Sequence, residues 1–335
     1  MRHYLSNSYS LLQASDDCAD CMVCPQKLYL DITQDCNLWC RMCRDERSVT
    51  GRTMPLDLFQ RLVEETSPYV RSYSLFNWGE PLLLKDFRDR VCYVNREKRP
   101  DCRVDISTNG MLLDSGMIDF LMGENVSVAI SVDSADPATF EAIRRGARFD
   151  AVMRNAENVA RAYVDFPPEN APSFYVSIQK ENQNAILPIA QLAHALGIKR
   201  FGCGIVTSPE AYTASQDWSL CEELEQTFCY LDENGMFLDV YPTKVGPYVY
   251  EGNQYHDASD YIVSTVCNAP LVSATVSYSG DVFLCCNIGG CVGNIADGSF
   301  LALWRSEQYN SLRRAVNNPS CMPDHCRHCA WFNRN

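Results

Sequence analysis

The chain has 335 residues, 46% of them hydrophobic, and a formal net charge of -13 at pH 7, enough apolar content for one large α/β domain plus a smaller one. The acidic balance argues against a general affinity for nucleic acid or anionic membranes. No apolar run approaches the ~20 residues that span a bilayer, and the amino terminus lacks the charged-then-apolar pattern of a secretion signal, so a cytoplasmic protein with no nucleic-acid and no membrane partner is expected.

The 18 cysteines are even in number, but in a reducing compartment clustered thiols serve metals or redox work rather than disulfides. Thirteen fall at the two ends of the chain. Residues 1–24 show no sustained period and finish in Cys18-x2-Cys21-x2-Cys24, a ligand-like spacing that suits either a further cluster or plain thiols. The run Leu28 to Thr33 alternates as a buried strand does. It feeds Cys36-Asn-Leu-Trp-Cys40-Arg-Met-Cys43. Three thiolates at this spacing on one loop can bind three irons of a cubane cluster and leave the fourth without a protein ligand. A zinc site, which closes its fourth position with another Cys or His, is the competing reading.

From Leu28 to about Asn234, short β-rich runs alternate with amphipathic helical ones. Strands are predicted at Leu28 to Thr33, Ser72 to Trp78, Arg103 to Thr108, Val126 to Asp133, Ser173 to Gln179 and Arg200 to Thr207. Helices are predicted at Leu56 to Glu65, Asp114 to Met122, Ala151 to Val164, Ile186 to Leu196 and Ser219 to Asp232. Six strand–helix units in this order predict parallel winding, and six being fewer than eight, a partial (β/α)6 TIM-like barrel. Polar or glycine-containing turns stand at successive strand ends: Asn77-Trp-Gly-Glu-Pro81, Ser107-Thr-Asn-Gly110 and Ser131-Val-Asp-Ser134, with Ile143-Arg-Arg-Gly146 shortly after. All would share the rim with the three-cysteine loop, where such barrels keep their active sites. The Tyr- and Gly-rich segment Val240 to Ile262 suits either a substrate wall or ordinary packing.

Past the barrel come Cys267-Asn-Ala-Pro270, a strand from Val272, a Ser279-Gly-Asp281 turn and a returning strand to Cys285. A helix at about Leu301 to Ala315 and the pair Cys326-Arg-His-Cys329 follow. The expected organisation is an amino-terminal cysteine segment (1–24), the barrel (25–240) and a small Cys-rich domain of β-hairpin plus helix (241–335).

The three cysteines followed by Gly-Glu-Pro, Ser-Thr-Asn-Gly and Ser-x-Asp resemble the radical S-adenosylmethionine (radical SAM) superfamily, and the carboxy-terminal pattern is similar to SPASM domains. The resemblance implies a [4Fe-4S] cluster on Cys36, Cys40 and Cys43 whose open iron takes the amino and carboxylate groups of S-adenosylmethionine. It places Gly79 and Glu80 at the methionyl amine and Ser131 and Arg144 near the carboxylate or ribose. Asn109 and Asp133 become further contacts, and Met42 packs on adenine. It assigns Cys267, Cys285, Cys326 and Cys329 to an auxiliary [4Fe-4S] cluster, with zinc again as the competing reading, and Cys286, Cys291, Cys321 or the amino-terminal trio to any second one.

The implied chemistry is reductive cleavage of S-adenosylmethionine, by an electron from a donor such as flavodoxin or ferredoxin, to a 5′-deoxyadenosyl radical that abstracts a C–H hydrogen. The substrate radical is then oxidised, giving dehydrogenation, or quenched by a thiol, giving epimerisation. For that thiol the sequence offers Cys203, flanked by Gly202 and Gly204, although a buried structural cysteine is the commoner fate. Residues 1–24 are too few for a peptide-recognition module, so a small polar substrate of sugar, aminocyclitol or nucleoside type is expected. The alternatives are modification of a ribosomally made peptide and a noncatalytic iron–sulfur or zinc binding protein.

Overall fold

A computed structural model describes residues 23–43, 51–206, 210–257, 267–286, 290–318 and 320–327. Its centre is a sheet of seven parallel strands paired in chain order: β1 (Lys27–Leu30), β2 (Ser72–Ser74), β3 (Arg103–Thr108), β4 (Val126–Ser131), β5 (Ser173–Ile178), β6 (Arg200–Ile205) and the short β7 (Phe237–Leu238). Connecting helices are α1 (Leu56–Thr66), α2 (Phe87–Glu97), α3 (Ser115–Gly123), α4 (Pro137–Ile143), α5 (Phe149–Ala162), α6 (Ile186–Ala195) and α7 (Trp218–Glu233). All six predicted strands form, β2 ending earlier than expected. The predicted helices form within about two residues, while α2 and α4 had no counterpart in the sequence reading.

The strands have two chemically distinct faces. On β3, β4 and β5 the residues Val104, Ile106, Val128, Ile130, Phe174 and Val176 are almost wholly buried in one apolar cluster with Val152, Ile189 and Leu224 from the helices. Their alternates Asp105, Ser107, Ser127, Ser131, Tyr175 and Ser177 are half-buried and form the polar inward face, as the period of two dictates. Helix α5 shows the matching stripe, burying Val152, Met153, Ala156, Val159 and Ala160, at the three-and-four spacing of a helix on a core. Asp114 and Asp217 start α3 and α7 by accepting amide hydrogen bonds of their first turns.

Three described strands of the predicted carboxy-terminal domain continue the central sheet. A three-stranded sheet, β8 (Lys244–Val245), β9 (Tyr248–Glu251) and β10 (Gln254–Asp257), packs beside α7, where Tyr241, Tyr250 and Phe228 meet edge to face. The Tyr255 ring packs on Tyr250 and its hydroxyl donates to Pro242 O at 2.5 Å. The described aromatics of this segment thus pack on one another and on α7. After α8 (Ala269–Val272), β11 (Ser273–Val276) runs parallel beside β1 in the register Lys27↔Ser273 to Leu30↔Val276. The antiparallel strands β12 (Asp281–Phe283) and β13 (Cys291–Asn294) complete a ten-stranded sheet. Gly280 turns the hairpin at φ +85°, a value open to glycine at no steric cost. The single predicted helix divides into α9 (Phe300–Trp304) and α10 (Glu307–Val316), because Ser306 starts the second by accepting from Tyr309 N. The last described element is α11 (Asp324–Arg327).

Candidate active site at the carboxy-terminal rim

The three-cysteine loop leaves the end of β1, and each neighbouring strand end fastens it. Asp31 starts the loop: its Oδ1 accepts from Trp78 N at 3.2 Å and its Oδ2 from Gln34 Nε2 at 2.6 Å. Asp35 O accepts from Glu80 N at 2.8 Å. Between these bonds Gly79 lies so close to the loop stem that an added Cβ would sit 2.2 Å from Thr33 O. Only glycine permits that approach. Trp39 N and Arg41 N donate to Arg145 O and Ile143 O at 3.1 and 3.0 Å, so the stretch after α4 forms the other side of the clasp.

Cys36 is exposed, Cys43 half-buried and Cys40 buried. Leu38 N donates to Cys36 Sγ at 3.4 Å, and Arg144 Nη1 lies 4.0 Å from Cys40 Sγ. Burial pushes the Cys40 thiol up to about 12, with Arg144 pulling the other way. Such a thiol needs a metal or a cation to ionise at neutral pH. Three thiols on one loop, with the Leu38 amide beside Cys36 and the Arg144 guanidinium beside Cys40, have donor chemistry suited to metal ligation.

The remaining rim residues divide into contacts that face the loop and ties that hold it. The Glu80 side chain is a tie. It is buried, and its carboxylate accepts from Thr108 Oγ1 and Asn109 N at 2.7 Å each and from Leu82 N at 3.2 Å. Burial pushes it up to about 7 against those donors. Asn109 Nδ2 donates to Asn37 Oδ1 inside the cysteine loop at 2.7 Å. Asp133 is fully buried and faces Arg144 Nε across a 2.8 Å ion pair, close in distance though poorly aligned as a hydrogen bond. Burial raises the Asp133 carboxyl and Arg144 opposes it. Burial likewise works against the Arg144 charge, yet Asp133 and Cys40 leave it above its usual value. Ser131 Oγ lies 3.4 Å from Ser107 Oγ on the inward face, and Met42 packs half-buried on the core.

Cys203 is not brought to this rim. It pairs in register with Val176, on the face packed against the helices, and is fully buried. Burial raises its thiol, and its charge would interact with Tyr255 beside α7. The sequence reading missed Asp31, Asn37 and Tyr175. Asp31 ends a strand directly before the cysteine loop, a signal that could have found it. Tyr175 lies on the inward face, near enough to Cys286 of the carboxy-terminal region for their charges to interact, and nothing local marks it.

At the far end of the chain, Cys267 N donates to Asn317 Oδ1 at 2.8 Å, just past α10, and Cys285 lies near Tyr309 on that helix. Cys326 is on α11. Cys18, Cys21 and Cys329 lie outside the described residues. A surface depression of about 730 Å³ is lined by Arg61, Glu64 and Glu65 of α1 and by Asp297, Gly298 and Ser299 before α9.

The radical SAM superfamily matches over residues 30–193 and the SPASM iron-sulfur cluster-binding domain over residues 267–330. A "Probable GTP 3′,8-cyclase" of Methanococcus maripaludis is 28% identical over 38% of this chain, and the match spans only 43% of the cyclase. The mycofactocin maturase MftC of Mycolicibacterium smegmatis is 24% identical over 89% of this chain and 74% of its own. Streptococcus suis SuiB bound to precursor peptide SuiA superposes with a TM-score of 0.68 at 16% identity, over 92% of this chain and 70% of SuiB. The structure of anSMEcpe with bound AdoMet gives 0.65 at 16% identity, over 92% and 87%. At these identities the solved structures attest the shared fold.

Proposed function

We propose, for a chain that belongs to the radical SAM superfamily and carries a SPASM-type iron–sulfur domain, that Cys36, Cys40 and Cys43 hold the catalytic [4Fe-4S] cluster at the mouth of a polar barrel lumen. The observation that carries this is the clasp itself: the ends of β1, β2 and β3 and the backbone at the end of α4 each contribute a bond or a close approach to the three-cysteine loop or its stem. When bound, cluster and S-adenosylmethionine supply a one-electron C–S cleavage and a 5′-deoxyadenosyl radical; the protein supplies aim and exclusion of water. Gly79 lets the Trp78–Pro81 backbone lie against the loop stem, where its carbonyls receive the methionyl amine. Arg144, oriented by Asp133, presents a cation to the carboxylate, and Ser131 a hydroxyl to the carboxylate or ribose. Met42 packs on adenine, while Glu80 and Asn109 act by holding the rim. Cys267, Cys285, Cys326 and Cys329 form the auxiliary site, in a region (241–335) whose sheet continues that of the barrel (25–240).

For the substrate, the inward face favours a small polar molecule of sugar, aminocyclitol or nucleoside type. Asp105 accepts from Ser74 Oγ at 2.7 Å and Ser72 Oγ at 3.1 Å with Lys27 at 4.0 Å, and Ser107, Ser131 and Ser177 continue the hydroxyl surface. Dehydrogenation or epimerisation is the outcome in view. A second reading, a ribosomally made peptide, has its support in the fold shared with SuiB, whose structure is bound to precursor peptide SuiA.

The test is anaerobic reconstitution. With a low-potential reductant the wild-type protein releases 5′-deoxyadenosine from S-adenosylmethionine and Cys40→Ala does not; equal release by both would end the assignment. Adding sugars, nucleosides or short peptides and measuring which one raises the release rate separates the two substrate readings.

A further inference from the structure

Arg144 has two partners that a carboxylate clamp does not require. Its side chain is 8% exposed; Nε faces the wholly buried Asp133 carboxylate at 2.8 Å, and Nη1 lies 4.0 Å from Cys40 Sγ. Asp133 is itself fixed, its Oδ1 accepting from Ser177 N at 2.8 Å and its carbonyl from Asn182 Nδ2 at 2.9 Å. The backbone on either side of Arg144 is bonded to the cysteine loop through Ile143 O and Arg145 O. Gly146 follows at φ +93°, where an added Cβ would meet the Trp39 ring at 3.3 Å. The direction of the guanidinium toward Cys40 is thus set from three sides. Cys40 is the most buried of the three thiols, so a charge beside it is least screened by water.

We propose that Arg144 is a positioning residue that sets the electron affinity of the cluster through the Cys40 sulfur, with Asp133 as its anchor. This rests on the reading that Cys36, Cys40 and Cys43 hold that cluster. In the step concerned one electron enters from an external reductant, the [4Fe-4S] core goes from the 2+ to the 1+ state, and no bond forms or breaks. A cation in low dielectric beside a ligating thiolate favours the more negative state, and an N–H aimed at sulfur draws density from it. Both raise the potential. The same residue then couples docking of the S-adenosylmethionine carboxylate to the ease of reduction, because one guanidinium serves both.

The test is an EPR-monitored redox titration of the anaerobically reconstituted full-length protein without S-adenosylmethionine. The signal of this cluster is identified as the one absent from a C36A/C40A/C43A variant. Arg144→Met is expected to lower the reduction equilibrium constant about tenfold, or about 59 mV for one electron, and Arg144→Lys, which keeps the charge but loses the fork, by less. An Arg144→Met midpoint equal to wild type, with only affinity for S-adenosylmethionine lost, overturns the proposal and leaves Arg144 as a carboxylate clamp alone. If Arg144→Met lacks the signal of this cluster, Arg144→Lys is decisive in its place: a midpoint below wild type supports the proposal and coincidence overturns it. Wild-type protein without the signal would instead sink the cluster assignment itself.

Discussion

Glu80 places a carboxylate where no water reaches it, and the consequence is measurable. Burial outweighs the donors from Asn109, Thr108 and Leu82 and pushes it up to about 7 from its ordinary 4.5. The folded protein therefore binds this proton more tightly than the unfolded chain does. Stability falls as pH rises from about 4.5 through about 7, by about 3 kcal/mol from this residue. Urea unfolding of the cluster-free protein across that window should show wild type losing this amount relative to Glu80→Gln; parallel pH profiles would refute the account. Gly79→Ala forces a Cβ against Thr33 O and should cost about 2–3 kcal/mol, with lower iron content after reconstitution as the accompanying readout. Cys203→Ala should cost about 1 kcal/mol by leaving a small cavity while solvent deuterium incorporation into product stays unchanged, since the thiol lies on the helix side of β6.

Between elements, the closest dependence is that of the carboxy-terminal helices on α1. The Glu65 carboxylate accepts from Phe300 N at 2.9 Å and Leu301 N at 3.1 Å, two of the unpaired amides at the start of α9, and so caps from outside the helix it stabilises. Glu65→Ala should cost about 1–2 kcal/mol. Hydrogen exchange should speed up at those two amides and not in β3 or β4; uniform acceleration would mean the contact holds more than α9. The pair α9 and α10 folds around Trp304, which is fully buried between Phe300, Tyr309 and the Arg313 guanidinium, 4.0 Å from its ring. Trp304→Ala should cost about 3–5 kcal/mol, read as a lower midpoint in thermal unfolding.

Across the whole molecule, the decisive contact is β11 beside β1. The strand that launches the cysteine loop is central in the sheet only because the carboxy-terminal hairpin covers it, and Asp31 N, at the loop's first residue, donates to Val276 O at 2.9 Å. Truncation after residue 257 would turn β1 into an exposed hydrophobic edge carrying the catalytic loop. Such edges recruit other chains, so the fragment should sediment as aggregates and hold less iron on Cys36, Cys40 and Cys43. A monomeric, fully loaded fragment would show that the barrel completes itself. Among the described residues no helix is long and apolar enough to cross a membrane.

Local chemistry was enough for the strands and the three-cysteine loop. A period of two, a glycine with a carboxylate before proline, and thiols at fixed spacing are set by neighbours a few residues away, so β1 to β6 and the rim turns were legible. Helices α2 and α4 were not: α2 buries Phe87, Arg90, Val91 and Val94 at helical spacing, but one position of that stripe is an arginine and charged residues stand between the others, and α4 is only seven residues long. Side-chain roles needed the fold. The bonds of the Glu80 carboxylate to Thr108 and Asn109 were not legible, and Cys203 looked like a donor until its register with Val176 put it on the apolar face. The sequence by itself determined which groups could bind a cluster, since thiol chemistry and spacing are covalent facts. Only the tertiary structure decided which of the polar residues bond to one another around the three-cysteine loop, and that β11 completes the edge of β1, because those depend on strand register and on contacts between residues far apart in the chain.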